Sequence, residues 1–251
     1  MIKAFIFDLD GTLVQTEVLK AESYAKAAVE LRPELTETQV VRGFKDFVGL
    51  SRKEVAKGLL KRFDLKDAVS QRMKEFKVTQ PWQVFVDIRV DNYYSMISDP
   101  EVLKEHLCPY NMALLKWAKD ADYTIGLGTM SHRREAFRVL EILGIRDEFD
   151  FIATIQDVEY GKPDPEIYNL ISDELKVPHD EALAVEDSAS GIKAALSAHM
   201  NCVAVPSEFT IEPVLRLPPN NLLRVVENQP DLLETTKEFI EELDNLKERV
   251  N

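Results

Sequence analysis

The chain contains little of what marks a secreted, disulfide-bonded or membrane-spanning protein. Two cysteines, Cys108 and Cys202, lie far apart among its 251 residues, so no disulfide framework is indicated. The longest stretch without Asp, Glu, Lys or Arg is Ala194–Ser207, which contains His, Asn and Pro, whereas a spanning helix needs about 20 mostly apolar residues. The segment Met1–Asp8 becomes acidic too early for a signal peptide. These absences predict a cytoplasmic protein without a membrane partner.

Positive charge is also scarce. The 31 Lys and Arg residues are outnumbered by 44 Asp and Glu residues, which gives a formal net charge of −13. Such a surface repels nucleic-acid backbones and anionic lipid, so neither is expected as the main partner. A small anion in a local basic pocket is still compatible with this charge. With 45% hydrophobic residues and only 9 Gly, the composition is typical of a folded protein.

Short apolar runs and amphipathic segments alternate along most of the chain. This alternation is typical of a parallel sheet with crossover helices, so the sequence predicts an α/β fold. The predicted strands are Lys3–Phe7, Tyr123–Gly128, Phe151–Ile155, Ala182–Glu186, Cys202–Val205 and a weaker Leu223–Val226. The predicted helices among them are Met112–Lys119, Arg134–Leu143, Pro165–Leu175 and Ser190–His199.

Residues 16–97 interrupt this alternation. Apolar and charged residues there recur at helical spacing, as at Leu59 and Phe63, with almost no β-like runs. We interpret the segment as a helical domain inserted into the α/β core. The predicted core comprises residues 1–15 and 98–251. Because the core and the insertion are self-contained, we expect a monomer.

Polar side chains follow three of the predicted strands at the point where each strand ends. The carboxyl ends of parallel strands meet at one edge of the sheet, so these side chains are expected to converge. Crowded carboxylates repel one another unless a hard cation such as Mg²⁺ binds among them. Lys162, on a turn before a helix, can supply positive charge to a phosphate or to an anionic nucleophile. The residues at the strand ends are Asp8, Asp10, Thr129, Ser131, Glu186 and Asp187.

Each of these residues taken alone has an ordinary interpretation as part of a solvated acidic rim or a loop. Together, however, they belong to four motifs that occur in order: Phe7–Leu13, Gly128–Ser131, Gly161–Pro163 and Val185–Ser188. This set resembles the four motifs of the haloacid dehalogenase superfamily. The helical insertion resembles the four-helix cap of the subgroup that contains β-phosphoglucomutases and small-molecule phosphatases. The resemblance implies a Rossmann-like core flanked by helices, an inserted helical-bundle cap, and Mg²⁺ as the cofactor.

The resemblance also implies roles for two aspartates. Asp8 would be the nucleophile that attacks phosphorus and forms an aspartyl-phosphate, a covalent strategy open to carboxylates. Asp10 would protonate the leaving alcohol and then deprotonate the water or hydroxyl that resolves the intermediate. A second acid argues against dehalogenation, because halide departs without being protonated. The pair therefore indicates an oxygen leaving group.

The remaining motif residues would bind the phosphoryl group and the metal. The resemblance implies that Thr129 and Lys162 hold the phosphoryl oxygens and that Lys162 also neutralises the nucleophile. This is catalysis by positioning and fixed charge. The implied Mg²⁺ ligands are Asp8, Asp10 through its backbone carbonyl, Glu186 and Asp187.

The insertion carries the residues expected to select the substrate. The segment Gly49–Arg52 resembles the cap loop in which an arginine grips a distal phosphate, and Arg89 falls at a basic substrate-binding position of β-phosphoglucomutases. Thr16 also matches that family. The alternative for Arg52 and Arg89 is a solvated helix face.

Other positions depart from the mutases. Lys20 stands where they have a hinge His, and Gln15 stands where they have Asp before Thr16. Ser131, the last residue of the second motif, matches a phosphate contact, and the next two residues, His132 and Arg133, keep a basic character where the mutases have Lys-Asn. We therefore expect a Mg²⁺-dependent phosphatase of a small phosphorylated metabolite, such as a sugar phosphate. A β-phosphoglucomutase-like phosphomutase is the alternative, and a non-catalytic binding protein is a third hypothesis.

Overall fold

The computed structural model describes residues 1–47 and 50–250, with side chains as far as residue 246. Among the helices of these residues, none combines the length and the apolar character needed to cross a bilayer. Gly49, the first residue of the expected substrate loop, lies outside the described residues.

The chain divides into two compact units. The α/β unit combines Met1–Gln15 with the chain from Leu103 onward, and the helical unit is Thr16–Val102. The second division falls after residue 102, whereas the sequence pattern predicts it after residue 97. Both sides of that point are helical, because the short helix Pro100–Glu105 spans it. The apolar pattern therefore carries no mark of the boundary.

A six-stranded parallel sheet forms the centre of the α/β unit, which confirms the predicted fold class. Its strands are β1 (Ala4–Phe7), β2 (Thr124–Gly128), β3 (Phe151–Ala153), β4 (Ala182–Glu186), β5 (Asn201–Ala204) and β6 (Leu223–Val225). The spatial order is β3-β2-β1-β4-β5-β6. In this doubly wound order the direction of winding reverses beside β1, where ligands bind in such folds.

The register of the central strands aligns their carboxyl ends. Phe7 on β1 lies opposite Leu127 on β2 and Val185 on β4. The N–H of Asp8 continues the ladder by donating to the carbonyl of Val185 at 2.9 Å. The first residues beyond these strands therefore lie side by side at the edge where the winding reverses.

The helical unit contains five α-helices within its described residues, one more than the four-helix cap that the sequence resembles. They are α1 (Thr16–Leu31), α2 (Glu37–Phe44), α3 (Arg52–Arg62), α4 (Lys66–Phe76) and α5 (Pro81–Ile97). Thr36 and Ser51 form capping boxes that begin α2 and α3. The rings of Phe44 and Phe85 lie 5.7 and 5.5 Å from that of Tyr24, which joins α1, α2 and α5 in one apolar core.

Helices cover both faces of the sheet in the α/β unit. The helices after the division are α7 (Pro109–Asp120), α8 (Arg133–Leu143), α9 (Glu166–Leu175), α10 (Ala189–Ser197), α11 (Ile211–Leu215) and α12 (Leu232–Val250), and α6 (Pro100–Glu105) is the helix that spans the division. Successive residues of a strand point to opposite faces. Accordingly Ile6 of β1 packs with Ile167 of α9 and Ile192 of α10, whereas the neighbouring Phe5 meets Trp117 of α7 at a ring distance of 6.0 Å.

β3 is shorter than its predicted extent. The sequence pattern extends the strand to Ile155, but the strand ends at Ala153. Thr154 then begins a 3₁₀ turn, because both its N–H and its hydroxyl donate to Asp157 Oδ2 at 2.8 Å. A side chain that bonds to nearby backbone groups competes with the strand ladder in this way.

Two glycines of β2 allow α9 to approach the sheet closely. A Cβ at Gly126 would lie 2.6 Å from Ile171 Cγ2, and one at Gly128 would lie 2.8 Å from Ile171 Cδ1. Both distances are shorter than van der Waals contact, so Ile171 occupies the space that side chains at these two positions would fill. Ile171 is fully buried.

We therefore expect Ile171→Ala to leave a cavity against β2. The free energy of unfolding should fall by about 2–5 kcal/mol, the usual cost of truncating a buried aliphatic side chain. Leu215→Ala on α11 is the control, since Leu215 is 53% exposed and its loss should change stability by no more than about 0.5 kcal/mol. Urea denaturation measures both values, and an equal effect of the two substitutions would contradict this packing.

Candidate active site

The carboxyl edge of the sheet gathers the predicted motif residues of the α/β unit. Asp8 follows β1, and Glu186 ends β4 beside it. Lys162 comes from the loop before α9 and reaches between them. Thr129, which follows β2, contacts Asp10. The four sequence motifs therefore meet in one place.

Lys162 is bonded to groups at the ends of three strands. Its Nζ donates to Asp8 Oδ1 at 2.7 Å, to Glu186 Oε1 at 2.6 Å and to the carbonyl of Gly128 at 2.8 Å. An ammonium group has three N–H bonds, so these partners use all of them. The side chain is only 4% exposed. The sequence anticipated its pairing with Asp8, and the structure adds Glu186 and a backbone carbonyl.

Burial and charge both act on the titration of this pair. Burial is the largest influence on Asp8, and with the negative charges of Glu186 and Asp10 it raises the pKa of the carboxyl to about 7 against the opposing pull of Lys162. Burial alone would lower the pKa of Lys162, but the neighbouring Asp8 and Glu186 carboxylates raise it above its usual range. The ammonium is therefore firmly charged.

The same residues provide a fitting set of metal ligands. Asp8, Glu186 and Asp187 each present an oxygen, and these oxygens lie within 4.8 Å of one another. All three residues are buried, and Lys162 supplies one positive charge against their three carboxylates. Carboxylate oxygens are the ligands that Mg²⁺ and other hard cations prefer. The excess of buried negative charge and the donor chemistry together suit a divalent cation.

A glycine turn makes room for one of these ligands. Gly11 has φ +87°, a conformation that side chains disfavour, and a Cβ there would lie 2.3 Å from Asp187 Oδ2. Asp187 Oδ2 also accepts a hydrogen bond from Thr210 Oγ1 at 3.3 Å. Thr210 lies in no sequence motif and is brought to the site by the loop after β5.

Asp10 is held by two hydroxyl groups. Thr129 Oγ1 and Ser131 Oγ each donate to Asp10 Oδ2 at 2.7 Å. The N–H of Ser131 donates in turn to Thr129 Oγ1 at 3.0 Å, which orients that hydroxyl. The motifs predict phosphate contacts for both hydroxyls, and the structure adds their contacts with Asp10.

A tyrosine outside the motifs completes the buried cluster. Tyr168 on α9 is fully buried, and its hydroxyl donates to Glu186 Oε1 at 2.6 Å. Its ring centre lies 5.1 Å from Lys162 Nζ. Burial, with the charge of Glu186, raises the pKa of Tyr168 well above its usual value, so the hydroxyl stays protonated. The helical pattern indicates only that Tyr168 is buried, and its polar contact depends on the tertiary structure.

The expected substrate residues Arg52 and Arg89 belong to the helical unit. Arg89 is 3% exposed, so a solvated helix face is wrong for this residue. Its guanidinium lies between two rings, 5.1 Å from the centre of Tyr24 and 4.5 Å from that of Tyr93. Arg52 is the half-buried first residue of α3, and its carbonyl accepts a hydrogen bond from the Tyr24 hydroxyl at 3.4 Å. Tyr24 thus contacts both arginines.

The other expected substrate residues are divided between the units. Thr16 is buried at the first position of α1, and Lys20 follows on the same helix, where it pairs with Glu17 at 2.7 Å. In the α/β unit, the Ser131 hydroxyl donates to Asp10, whereas His132 is exposed at the start of α8.

Fold and site together define an α/β enzyme whose chemistry centres on carboxylates and a buried lysine at the switch point of a parallel sheet. The family model for haloacid dehalogenase-like hydrolases matches residues 2–199. The chain therefore belongs to the haloacid dehalogenase-like hydrolases, as the sequence motifs predicted.

Similar proteins act on phosphorylated compounds. The chain is 31% identical over 197 residues to the phosphorylated carbohydrates phosphatase of Thermotoga maritima, a match that covers 78% of this chain and 82% of the relative. It is 26% identical over 215 residues to hexitol phosphatase B of Escherichia coli, covering 82% and 84%. The crystal structure of β-phosphoglucomutase from Clostridium difficile superposes with a TM-score of 0.67 at 27% identity, covering 97% of this chain and 99% of that one.

Removal of the Lys162 ammonium should strongly destabilise the metal-free protein. Lys162→Ala leaves Asp8 and Glu186 buried without their cation, and breaking a buried ion pair typically costs about 3–5 kcal/mol. The control Lys116→Ala breaks the exposed pair with Asp120 and should cost about 0–1 kcal/mol. Chemical denaturation in the presence of a chelator measures both. A loss for Lys162→Ala as small as that of the control would contradict the buried cluster.

Proposed function

We propose that the protein is a Mg²⁺-dependent phosphatase that hydrolyses a small phosphorylated metabolite, in particular a sugar phosphate, through an aspartyl-phosphate on Asp8. The observation that carries the proposal is the Lys162 ammonium held between Asp8 and Glu186 at the carboxyl edge of the sheet. The named activities of the Thermotoga and Escherichia relatives support the substrate class.

In the first half-reaction, a carboxylate oxygen of Asp8 attacks phosphorus and the bond from phosphorus to the substrate oxygen breaks. Asp10 donates its proton to that departing oxygen, so an alcohol leaves. In the second half-reaction, Asp10 takes a proton from water as the water oxygen attacks the same phosphorus. The bond from phosphorus to Asp8 then breaks, which releases phosphate and returns both carboxyls to their starting states.

The hydroxyl contacts of Asp10 fit this alternation. Thr129 and Ser131 donate to its ionised form, which is the form that accepts a proton from water. When Asp10 carries a proton, its carboxyl group accepts hydrogen bonds less strongly. We propose that the Thr129 hydroxyl then turns to a phosphoryl oxygen, which Lys162 also contacts.

We propose Asp8, Glu186, Asp187 and the backbone carbonyl of Asp10 as the residues that hold Mg²⁺. A bound divalent cation supplies charge that neutralises the phosphoryl oxygens and the crowded carboxylates. The chain's own contribution is to hold these groups in fixed positions before the substrate arrives, since their carboxylates are already buried and hydrogen-bonded.

Residues of the helical unit are proposed to select the substrate. We propose residues 16–97 as a cap, with Thr16, Lys20, Arg52 and Arg89 as contacts to the part of the metabolite beyond the reacting phosphate. Ser131 and His132 would contribute from the core. Arg89 is suited to an anion because its charge is buried between aromatic rings.

A phosphomutase that resembles β-phosphoglucomutase is the second candidate. Two arginines in the helical unit, Arg52 and Arg89, favour it, because a mutase must grip a second phosphate. The likeness to the Clostridium mutase structure also favours it. Lys20 and Gln15 depart from the mutase pattern and favour the phosphatase. We propose further that the enzyme acts as a monomer in a reducing cytoplasm, where its two buried cysteines stay free thiols.

Loss of the nucleophile should abolish turnover without loss of the fold. The wild type, incubated with Mg²⁺ and a panel of sugar phosphates, should release phosphate from one or a few of them, and Asp8→Asn should reduce this release by at least about 10⁴-fold. Asp120→Asn, an exposed carboxylate of a surface ion pair, is the matched control and should retain wild-type turnover.

The panel includes β-glucose 1-phosphate with a bisphosphate primer. Glucose 6-phosphate that accumulates without free phosphate would identify the mutase instead. Turnover by Asp8→Asn equal to that of the wild type would exclude Asp8 as the nucleophile.

Arg52 should matter for substrates with a second anionic or polar end. Arg52→Ala should lower kcat/KM for the preferred sugar phosphate by about 10–100-fold, a loss of about 1.4–2.7 kcal/mol of transition-state stabilisation. Turnover of an aryl phosphate, which offers no second contact, should change little. Lys57→Ala, an exposed lysine of the same helix, is the control. Equal losses on both substrates would contradict a role of Arg52 in specificity.

A further inference from the structure

We infer that Tyr168 and Gly191 are positioning residues that set the place of the Glu186 carboxylate, Tyr168 by donating a hydrogen bond and Gly191 by having no side chain. This inference rests on the proposed function, in which Glu186 helps to hold Mg²⁺ and steadies Lys162. Neither residue is assigned a part in the proposed reaction. Both act through Glu186 and not on the substrate.

Glu186 is held at both of its oxygens. Oε1 accepts from Lys162 Nζ and from the Tyr168 hydroxyl, each at 2.6 Å. Oε2 accepts from the N–H of Asp187 at 3.2 Å and from Ser188 Oγ at 3.3 Å. The residue has no exposed surface. A carboxylate with four donors and no access to water has one defined orientation, so a change at any donor alters where its oxygens lie.

Tyr168 contributes the one donor that comes from outside the motifs. Its ring packs in the core cluster with Ile167 and Cys202, which fixes the hydroxyl relative to the sheet. The hydroxyl shares Oε1 with Lys162, so it pulls the carboxylate toward the position in which the ammonium also reaches Asp8. Loss of the hydroxyl removes this pull and leaves the ring in place.

Gly191 determines the space available to the same carboxylate. A Cβ at this position would lie 2.0 Å from the carboxyl carbon of Glu186, 2.0 Å from Oε1 and 2.1 Å from Oε2. The carboxylate therefore occupies the volume that an alanine methyl would fill. Gly191 lies on α10, where its N–H donates to Ser188 Oγ at 3.2 Å. Glycine is disfavoured inside a helix relative to alanine, so helix propensity does not explain the residue.

Substitutions of Tyr168 and Gly191 should disturb Glu186 in different ways. Tyr168→Phe keeps the ring and removes one donor to Oε1. Gly191→Ala forces the carboxylate away from its donors. Removal of a group that orients a metal ligand typically lowers metal affinity or activity by about 10–100-fold. We expect both variants to raise the Mg²⁺ concentration for half-maximal activity within this range, with less than about a twofold change in the KM for substrate.

A compensating substitution separates positioning from general damage. Glu186→Asp shortens the side chain by one methylene and should itself weaken Mg²⁺ binding. In the Gly191→Ala background, the shorter side chain leaves room for the new methyl group. If the two substitutions acted independently, their effects on Mg²⁺ affinity would multiply. The double variant should bind Mg²⁺ at least about fivefold more tightly than this product predicts.

The experiment measures Mg²⁺ affinity by titration calorimetry and Mg²⁺ activation of phosphate release on the same protein samples. Ser172→Ala is the control, because it removes a buried hydroxyl hydrogen bond from the same helix as Tyr168 but away from the site. It should lower thermal stability without moving either Mg²⁺ value. Circular dichroism identifies any variant that does not fold, and in that case the other variant decides.

Wild-type Mg²⁺ affinity in Tyr168→Phe, or effects of Gly191→Ala and Glu186→Asp that simply multiply, would overturn the inference. A wild type that binds Mg²⁺ but releases no phosphate from any substrate would count against the proposed function instead. The calorimetric comparison would still decide the positioning roles in that case.

Discussion

The site depends on the burial of one ammonium group between two carboxylates. Lys162 is almost inaccessible to water, and it offsets the cost of its burial only because Asp8, Glu186 and the carbonyl of Gly128 take all three of its N–H bonds. These partners come from the ends of β1, β4 and β2. The parallel register that aligns those ends is therefore a requirement of the charge cluster as well as a feature of the fold.

The cluster carries more negative charge than its lysine can neutralise. Asp187 adds a third buried carboxylate, and the pKa of Asp8 is raised to about 7 by burial and by its acidic neighbours. Such an arrangement is costly without a further positive charge. The same excess of negative charge suits a divalent cation. A phosphoryl group can then approach that cation. Two glycines leave room for these carboxylates. Gly11 makes space for Asp187, and Gly191 makes space for Glu186.

The motif carboxylates were predictable because they lie at or just beyond strand ends, and the carboxyl ends of parallel strands must meet. Asp8 and Glu186 could therefore be placed together from the sequence alone. Tyr168 and Thr210 could not, since an apolar pattern predicts that a tyrosine is buried and gives no partner for its hydroxyl. The contact between the Thr129 hydroxyl and Asp10 was not predictable either, because it joins segments that are far apart in the chain. The end of β3 was misjudged, because a side-chain bond at Thr154 outweighed the β propensity that follows it.

By itself the sequence determined the α/β class, the order of the strands along the chain, the inserted helical segment and the family. All of these depend on local patterns of apolar residues and on short motifs. Only the tertiary structure decided that Lys162 contacts Glu186 as well as Asp8, that the hydroxyls of the second motif orient Asp10, and that Arg89 is buried between rings. The physical reason is that these features are contacts between segments far apart in the chain, and packing selects each partner.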